Sequence, residues 1–197
     1  MKVPVLETER LILRPFAQTD EEAVLAIYGD PVVMKFVPLI PLANLAEARA
    51  HLQEHLLPVY ETPGECLFAI CLKEENSPIG YVHVSGDDSH DFGYALRKEF
   101  WGHGYATEAA LAVLDFVREQ GVLYVTATHD VNNPASGRVM QRLGMHYCYS
   151  YKELWQPKNF WVTFRMYQLN FDGDSERVYR EYWDRFEEHF IEENVNQ

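Results

Sequence analysis

The sequence predicts a mixed α/β fold of the α+β kind, with a twisted, mostly antiparallel central sheet flanked by helices and an extra helix at the C-terminal end. Three observations carry that expectation. Between Leu67 and Leu96, three short β-rich runs succeed one another at hairpin-like spacing. The half that follows reads strand, helix, strand, helix, strand, which argues for layers with mixed strand pairing. Of the 197 residues, 47% are hydrophobic and 14% aromatic, enough to bury one packed core.

The elements follow in order. Glu9 to Phe16 alternates, with Leu11 and Leu13 on one face and Ile12 on the other, and Pro15 marks the end of this first strand. Asp20 then stands as an N-cap acid before Glu-Glu-Ala-Val-Leu-Ala-Ile-Tyr, a short helix stopped at Gly29. A second helix spans Asn44 to Leu57, anchored by Leu45, Leu52 and Leu56 and halted by Pro58. Leu67–Leu72, Ile79–Val84 and Asp91–Leu96 form the antiparallel meander, joined by turn-rich stretches at Asn76-Ser77-Pro78 and Gly86-Asp87-Asp88. Gly104 to Gln120 carries apolar residues at Ala110, Val113, Leu114 and Val117, with Gly121 just past its end. Tyr124–Thr128 reads as a buried strand, Asn133–Leu143 as a helix closed by Gly144, and Met145–Trp155 and Phe160–Phe171 as further strands. Ser175 to Glu193 sets Tyr179, Tyr182, Trp183, Phe186 and Phe190 at helical spacing. That aromatic stripe either closes over its own sheet or meets a second copy in a homodimer.

Charge narrows the partners. Seventeen Lys and Arg against 30 Asp and Glu leave a formal charge of −13, and no basic run exists to hold a nucleic-acid backbone. A neutral or cationic substrate suits the chain better. Cys66, Cys71 and Cys148 are an odd set without C-x-x-C spacing, so neither a disulfide framework nor a structural zinc site is expected, and reduced cytoplasm is the expected location. No signal peptide or membrane span is visible, because Lys35, Pro38 and Pro41 interrupt the apolar stretch from Val32 to Leu42.

Two segments carry chemistry. Glu99-Phe-Trp-Gly-His-Gly-Tyr-Ala-Thr-Glu-Ala109 lies between a strand and the longest helix. Its glycines let the backbone turn tightly, and the first helical turn leaves N–H groups free to cradle an anion. Neither G-x-x-x-x-G-K-[ST] nor G-x-G-x-x-G occurs, which excludes a Walker-type site. Asn133-Pro-Ala-Ser136 opens the next helix, where simple capping accounts for both polar side chains. His51-Leu-Gln-Glu-His55 matches the inverted zinc-protease pattern and puts two imidazoles on one helix face, but a third ligand is missing.

Together with Thr8-Glu9-Arg10-Leu-Ile-Leu-Arg-Pro15 and the Gly93-Tyr94-Ala95-Leu96 strand, these motifs make the chain resemble the GNAT N-acetyltransferases, in particular their RimJ/RimL-type branch. The four motifs stand in the family's order and span Thr8 to Phe171. The resemblance implies a GNAT-like domain over residues 1–172, with the aromatic helix of residues 173–197 appended. It implies acetyl-coenzyme A as donor and direct attack on it by a primary amine, a protein N-terminus or a small molecule. Trp101 falls at the first position of the donor motif, and backbone N–H groups of Gly102, His103, Gly104, Tyr105, Ala106 and Thr107 would hold the pyrophosphate. The Leu96 main chain and Asn133 would touch the pantetheine arm. Where many relatives have an acidic Tyr, this chain has Met140, and Ser136 is the substitute that would meet the sulfur. Asp91, His90 and His83 are the candidate bases, with water as the remaining choice. No metal is implied. Two alternatives stay open, a non-catalytic acetyl-CoA-binding module and a zinc hydrolase using His51, Glu54 and His55.

Overall fold

The computed structural model describes residues 3–193 and 195; residues 1, 2, 194, 196 and 197, at the outer ends of the two expected segments, lie outside the described residues. Strands β1 (Leu6–Glu7), β2 (Leu11–Arg14), β3 (Cys66–Leu72), β4 (Pro78–Val84) and β5 (Phe92–Leu96) pair antiparallel in chain order. A second antiparallel sheet contains β6 (Tyr124–Asp130), β7 (His146–Trp155), β8 (Phe160–Asn170) and β9 (His189–Phe190), in the order β6-β8-β7-β9. The expected central sheet is therefore split in two. A single parallel bridge, Asp91 to Thr126, joins the halves where β5 and β6 begin, supported by the Thr126 N–H on the His90 carbonyl at 3.3 Å.

Helices cover both faces of the first sheet. On one side α1 (Glu21–Tyr28) and α2 (Leu45–His51) bury Val24, Ile27 and Ala48 against Leu67, Ala69 and Ala95. On the other, α3 (Tyr105–Glu119) and α4 (Pro134–Arg142) bury Ala109, Val113 and Met140 against Phe68, Ile70 and Phe92. This double cover is why β3 reads Cys-Leu-Phe-Ala-Ile-Cys-Leu without polar alternation.

Three local expectations are corrected. Asp20 does not cap α1 with its side chain. Its carboxylate instead accepts from the Ala17 N–H at 2.8 Å and receives both Arg14 guanidinium nitrogens, at 2.8 and 3.0 Å. Pro58 does not halt the second helical segment, because α2 passes into a π-turn at Leu52–Leu56 and then a 3-10 segment at Leu57–Glu61. There Pro58 sits in a first turn, where its missing N–H costs nothing.

The third correction concerns the tail. The helix expected over 175–193 is only α5 (Glu181–Arg185), and the chain then extends along β7, pairing Ser150 with Phe190 and Tyr151 with His189. The free edge of β7 offers unpaired backbone groups, and the Lys152 N–H finds the Glu188 carbonyl at 2.9 Å. Charges pin the edge further: Arg165 reaches Glu192 at 2.6 Å, and Lys152 pairs with Glu188 at 2.5 Å. The aromatic stripe closes over its own sheet. Tyr151 stacks on Phe186 at 4.8 Å and on Tyr182 at 5.3 Å, and Trp183 meets Tyr149 edge-on at 5.5 Å. Among the described residues no helix is long and apolar enough to cross a membrane.

Candidate functional site

Because β5 and β6 touch only at their starts, they diverge, and the split opens a cleft of about 600 Å³. The register of β5 decides what faces it. Arg97 donates its N–H to the Ile79 carbonyl at 2.8 Å, and Gly80 lies opposite Leu96. Bonds to β4 thus fall on alternate residues, so the main-chain groups of Tyr94 and Leu96 turn away from β4 into the split. The Leu96 carbonyl is already engaged by the Trp101 indole N–H at 2.7 Å, which leaves its N–H for a ligand.

Side chains on β5 alternate between faces. Phe92, Tyr94 and Leu96 pack on the α3 side, whereas Ala95 belongs to the α1 side, which also places Asp91 there. On the α3 side, Tyr94 Oη donates to Ser136 Oγ at 3.2 Å. Burial raises the Tyr94 pKa, an effect the bond to Ser136 only partly offsets, so the phenol keeps its proton near neutrality. Asn133 caps α4 by accepting from the Ser136 N–H at 3.4 Å, and it also lines the cleft.

On the opposite side, the Asp91 backbone is fixed by Ser85 Oγ at 2.8 Å and Ser89 Oγ at 3.1 Å, while its side-chain Oδ1 is buried with no hydrogen-bond partner. Burial, reinforced by the nearby Asp87 charge, pushes its pKa up to about 7. Neither His83 nor His90 lines the cleft: His83 pairs with Glu65, and His90 packs on the Tyr124 ring at 5.5 Å. Of the three candidate bases, the structure brings only Asp91 to the site.

The glycine loop closes the open end of the split. Gly102 and Gly104 both hold φ near +80°, and Gly104 is the N-cap of α3 with no side chain capping the first turn. The 15-residue helix therefore presents its leading N–H groups toward the cleft. Gly102, Gly104, Tyr105, Ala106 and Thr107 line it, whereas His103 does not, its ring stacking on Tyr105 at 5.6 Å. Arg10 braces the loop: Nη1 donates to the His103 carbonyl at 2.9 Å and Nε to Glu108 at 2.7 Å, while Thr8 Oγ1 reaches the same carboxylate at 2.6 Å.

Sequence reasoning missed Tyr94 as a hydroxyl donor, Arg10 and Glu108 as the brace, and Tyr151 and Tyr182 as cleft walls. A signal existed only for Tyr94, which strand alternation puts on the same face as Leu96. His51, Glu54 and His55 do not form a metal centre: His51 packs on Tyr28 at 4.7 Å, burial followed by the neighbouring His55 lowers its pKa to about 4, and Glu54 and His55 are exposed. Among the described residues no group of three His, Cys, Asp or Glu could hold a metal.

A family model described as the acetyltransferase (GNAT) domain matches residues 10–146. The uncharacterized N-acetyltransferase YnaD of Bacillus subtilis strain 168 is 28% identical over 144 residues, covering 71% of this chain and 81% of that protein. The GNAT-family acetyltransferase of Bacillus anthracis superposes with a TM-score of 0.73 at 26% identity, covering 85% of this chain and 98% of that one. RimL, a ribosomal L7/L12 α-N-protein acetyltransferase solved with coenzyme A, shares the fold with a TM-score of 0.74 at 18% identity, over 87% of this chain and all of its own.

Proposed function

Because the chain belongs to the GNAT acetyltransferase family, we propose that it moves an acetyl group from acetyl-CoA to a primary amine by direct attack, with the β5–β6 split as the place of reaction. The observation that carries this reading is the division of the split: a near-neutral carboxyl on one face and a hydroxyl pair on the other. A binding module would need neither.

Acetyl-CoA supplies the acetyl group as a thioester. The unpaired first turn of α3 and the two left-handed glycines fit a pyrophosphate, in a chain whose overall charge of −13 would otherwise repel one. The Leu96 N–H would receive a pantetheine or thioester carbonyl, and Asn133 would border the same arm. Asp91 takes the ammonium proton, freeing the lone pair that forms the new N–C bond. As the C–S bond breaks, Ser136 stabilises the departing thiolate and relays to it a proton from Tyr94; the nitrogen sheds its second proton to solvent as the amide forms, and solvent returns one to Tyr94. The RimJ/RimL-type assignment is part of this proposal, supported by the Trp101-Gly-His-Gly motif and the Asn133-x-x-Ser136 spacing. So is a cytoplasmic site of action, which suits three free cysteines.

Two expected results follow. Ser136→Ala lowers kcat by about tenfold to a hundredfold with acetyl-CoA affinity nearly unchanged, and Tyr94→Phe lowers it less, because its hydroxyl acts through Ser136. A kcat unaltered by Ser136→Ala, measured where chemistry limits, would return that residue to helix capping. Arg10→Ala should weaken acetyl-CoA binding by severalfold in calorimetry while changing Tm little, since an exposed ion pair contributes only about 0.2–1 kcal/mol to folding. An unchanged affinity would show that the loop holds its shape without the brace.

A further inference from the structure

The half of the cleft on the α1 side differs in chemistry from the glycine-loop half. Its walls are Tyr151, Trp155 and Phe164 from β7 and β8, all buried, with Val33 and Phe36 from the segment after α1 and Tyr182 from the tail. Tyr182, like Tyr151, Trp155 and Phe164, lies outside the region matched by the family model.

Two carboxyls stand among these rings, Asp91 and Glu153, and burial raises the pKa of each. Asp91 Oδ1 is the one carboxylate oxygen among the described residues that is buried without a partner. The only Lys or Arg side chain on the whole cleft lining is Arg142, at the end of α4 on the far side. Aromatic faces and the unpartnered Asp91 oxygen together select a cation with an apolar body, whereas the Arg185 charge already acts on Glu153. The mouth on this side is narrowed, because Lys158, at the tip of the β7–β8 hairpin, donates to the Met34 carbonyl and to the Lys35 carbonyl at 2.9 Å, tying hairpin and post-α1 segment together. The whole cleft, about 600 Å³, must also admit the donor's acyl end, which leaves room for a compact molecule.

We infer that this half of the cleft binds a compact arylalkylammonium, its ammonium at Asp91 and its ring among Tyr151, Trp155 and Phe164, with Tyr182 setting the length it accepts. As an acceptor assignment this rests on the transferase reading, but as a binding site it can be tested apart from it.

The probes are 2-phenylethylamine, its neutral analogue 2-phenylethanol, spermidine and a short peptide with a free N-terminus, each titrated calorimetrically into the full chain without acetyl-CoA. The amine should bind at least about tenfold more tightly than each of the other three. Tyr182→Ala should shift preference by about tenfold from 2-phenylethylamine towards the longer 4-phenylbutylamine, with acetyl-CoA affinity retained as the sign of an intact fold. Equal or tighter binding of 2-phenylethanol, spermidine or the peptide would overturn the assignment, and this wild-type comparison needs no variant to fold. So would an unchanged preference in a folded Tyr182→Ala protein. Selective binding of 2-phenylethylamine without thiol release on adding acetyl-CoA would support the pocket and sink the transferase reading instead.

Discussion

Replacing Asp91 by Asn is expected to lower kcat/KM by about 10²- to 10⁴-fold, the range lost with a positioned general base. In the wild-type protein the same quantity should rise with pH through about 7 as the carboxyl ionises, and the variant should lose that limb. Stability should move the other way. A carboxyl whose folded pKa lies above its ordinary value favours the folded state while protonated, and that contribution disappears as pH rises through about 7. Asn cannot ionise, so the variant should match the wild-type Tm in acid and exceed it above neutrality. A pH–rate profile and melting curves at several pH values check both halves. An Asp91→Asn protein with wild-type activity would transfer the base role to water.

Gly104→Val should weaken acetyl-CoA binding by about a hundredfold, with Gly104→Ala falling between it and the wild type. The positive φ near +80° already strains any side chain, by about 1–3 kcal/mol, and a β-branched one most. A Cβ at this position would meet no protein atom nearer than Arg10 Nη2 at 3.5 Å, so the obstruction falls on the ligand rather than on the core. Calorimetry on variants verified by circular dichroism tests this. Unchanged affinity in a folded Gly104→Val protein would move the anion site away from the loop.

Local requirements were legible in the sequence. The meander, α3, and α4 with its Asn133 cap announce themselves through alternation, periodicity and glycine placement, because each is decided by neighbours a few residues away. The donor loop was readable for the same reason. What sequence reasoning missed is decided at a distance: Tyr94 and Ser136 are 42 positions apart, and Arg10 and Glu108 are 98. The tail misled through spacing. Aromatic residues three and four apart suit a helix, but they also suit a chain laid over a sheet with an open edge. Asp172 and Asp174 hold Arg177 at 2.8 and 3.4 Å. The split between β5 and β6 was illegible too, since no residue marks the point at which two neighbouring strands stop pairing.

The brace from Arg10 to Glu108 and the His103 carbonyl ties the donor loop to the first hairpin, whose partner strand β1 is only two residues long. Short edge strands fray, and hydrogen exchange reads such openings as sub-global events well below the unfolding free energy. Each time the hairpin opens, the loop loses its brace, so donor affinity and amide protection at Leu6 and Leu13 should rise and fall together. During folding the same link delays the loop: α3 can form from its own sequence, but its leading turn takes its final shape only after a closure spanning about a hundred residues, among the slower contacts for a chain of this size.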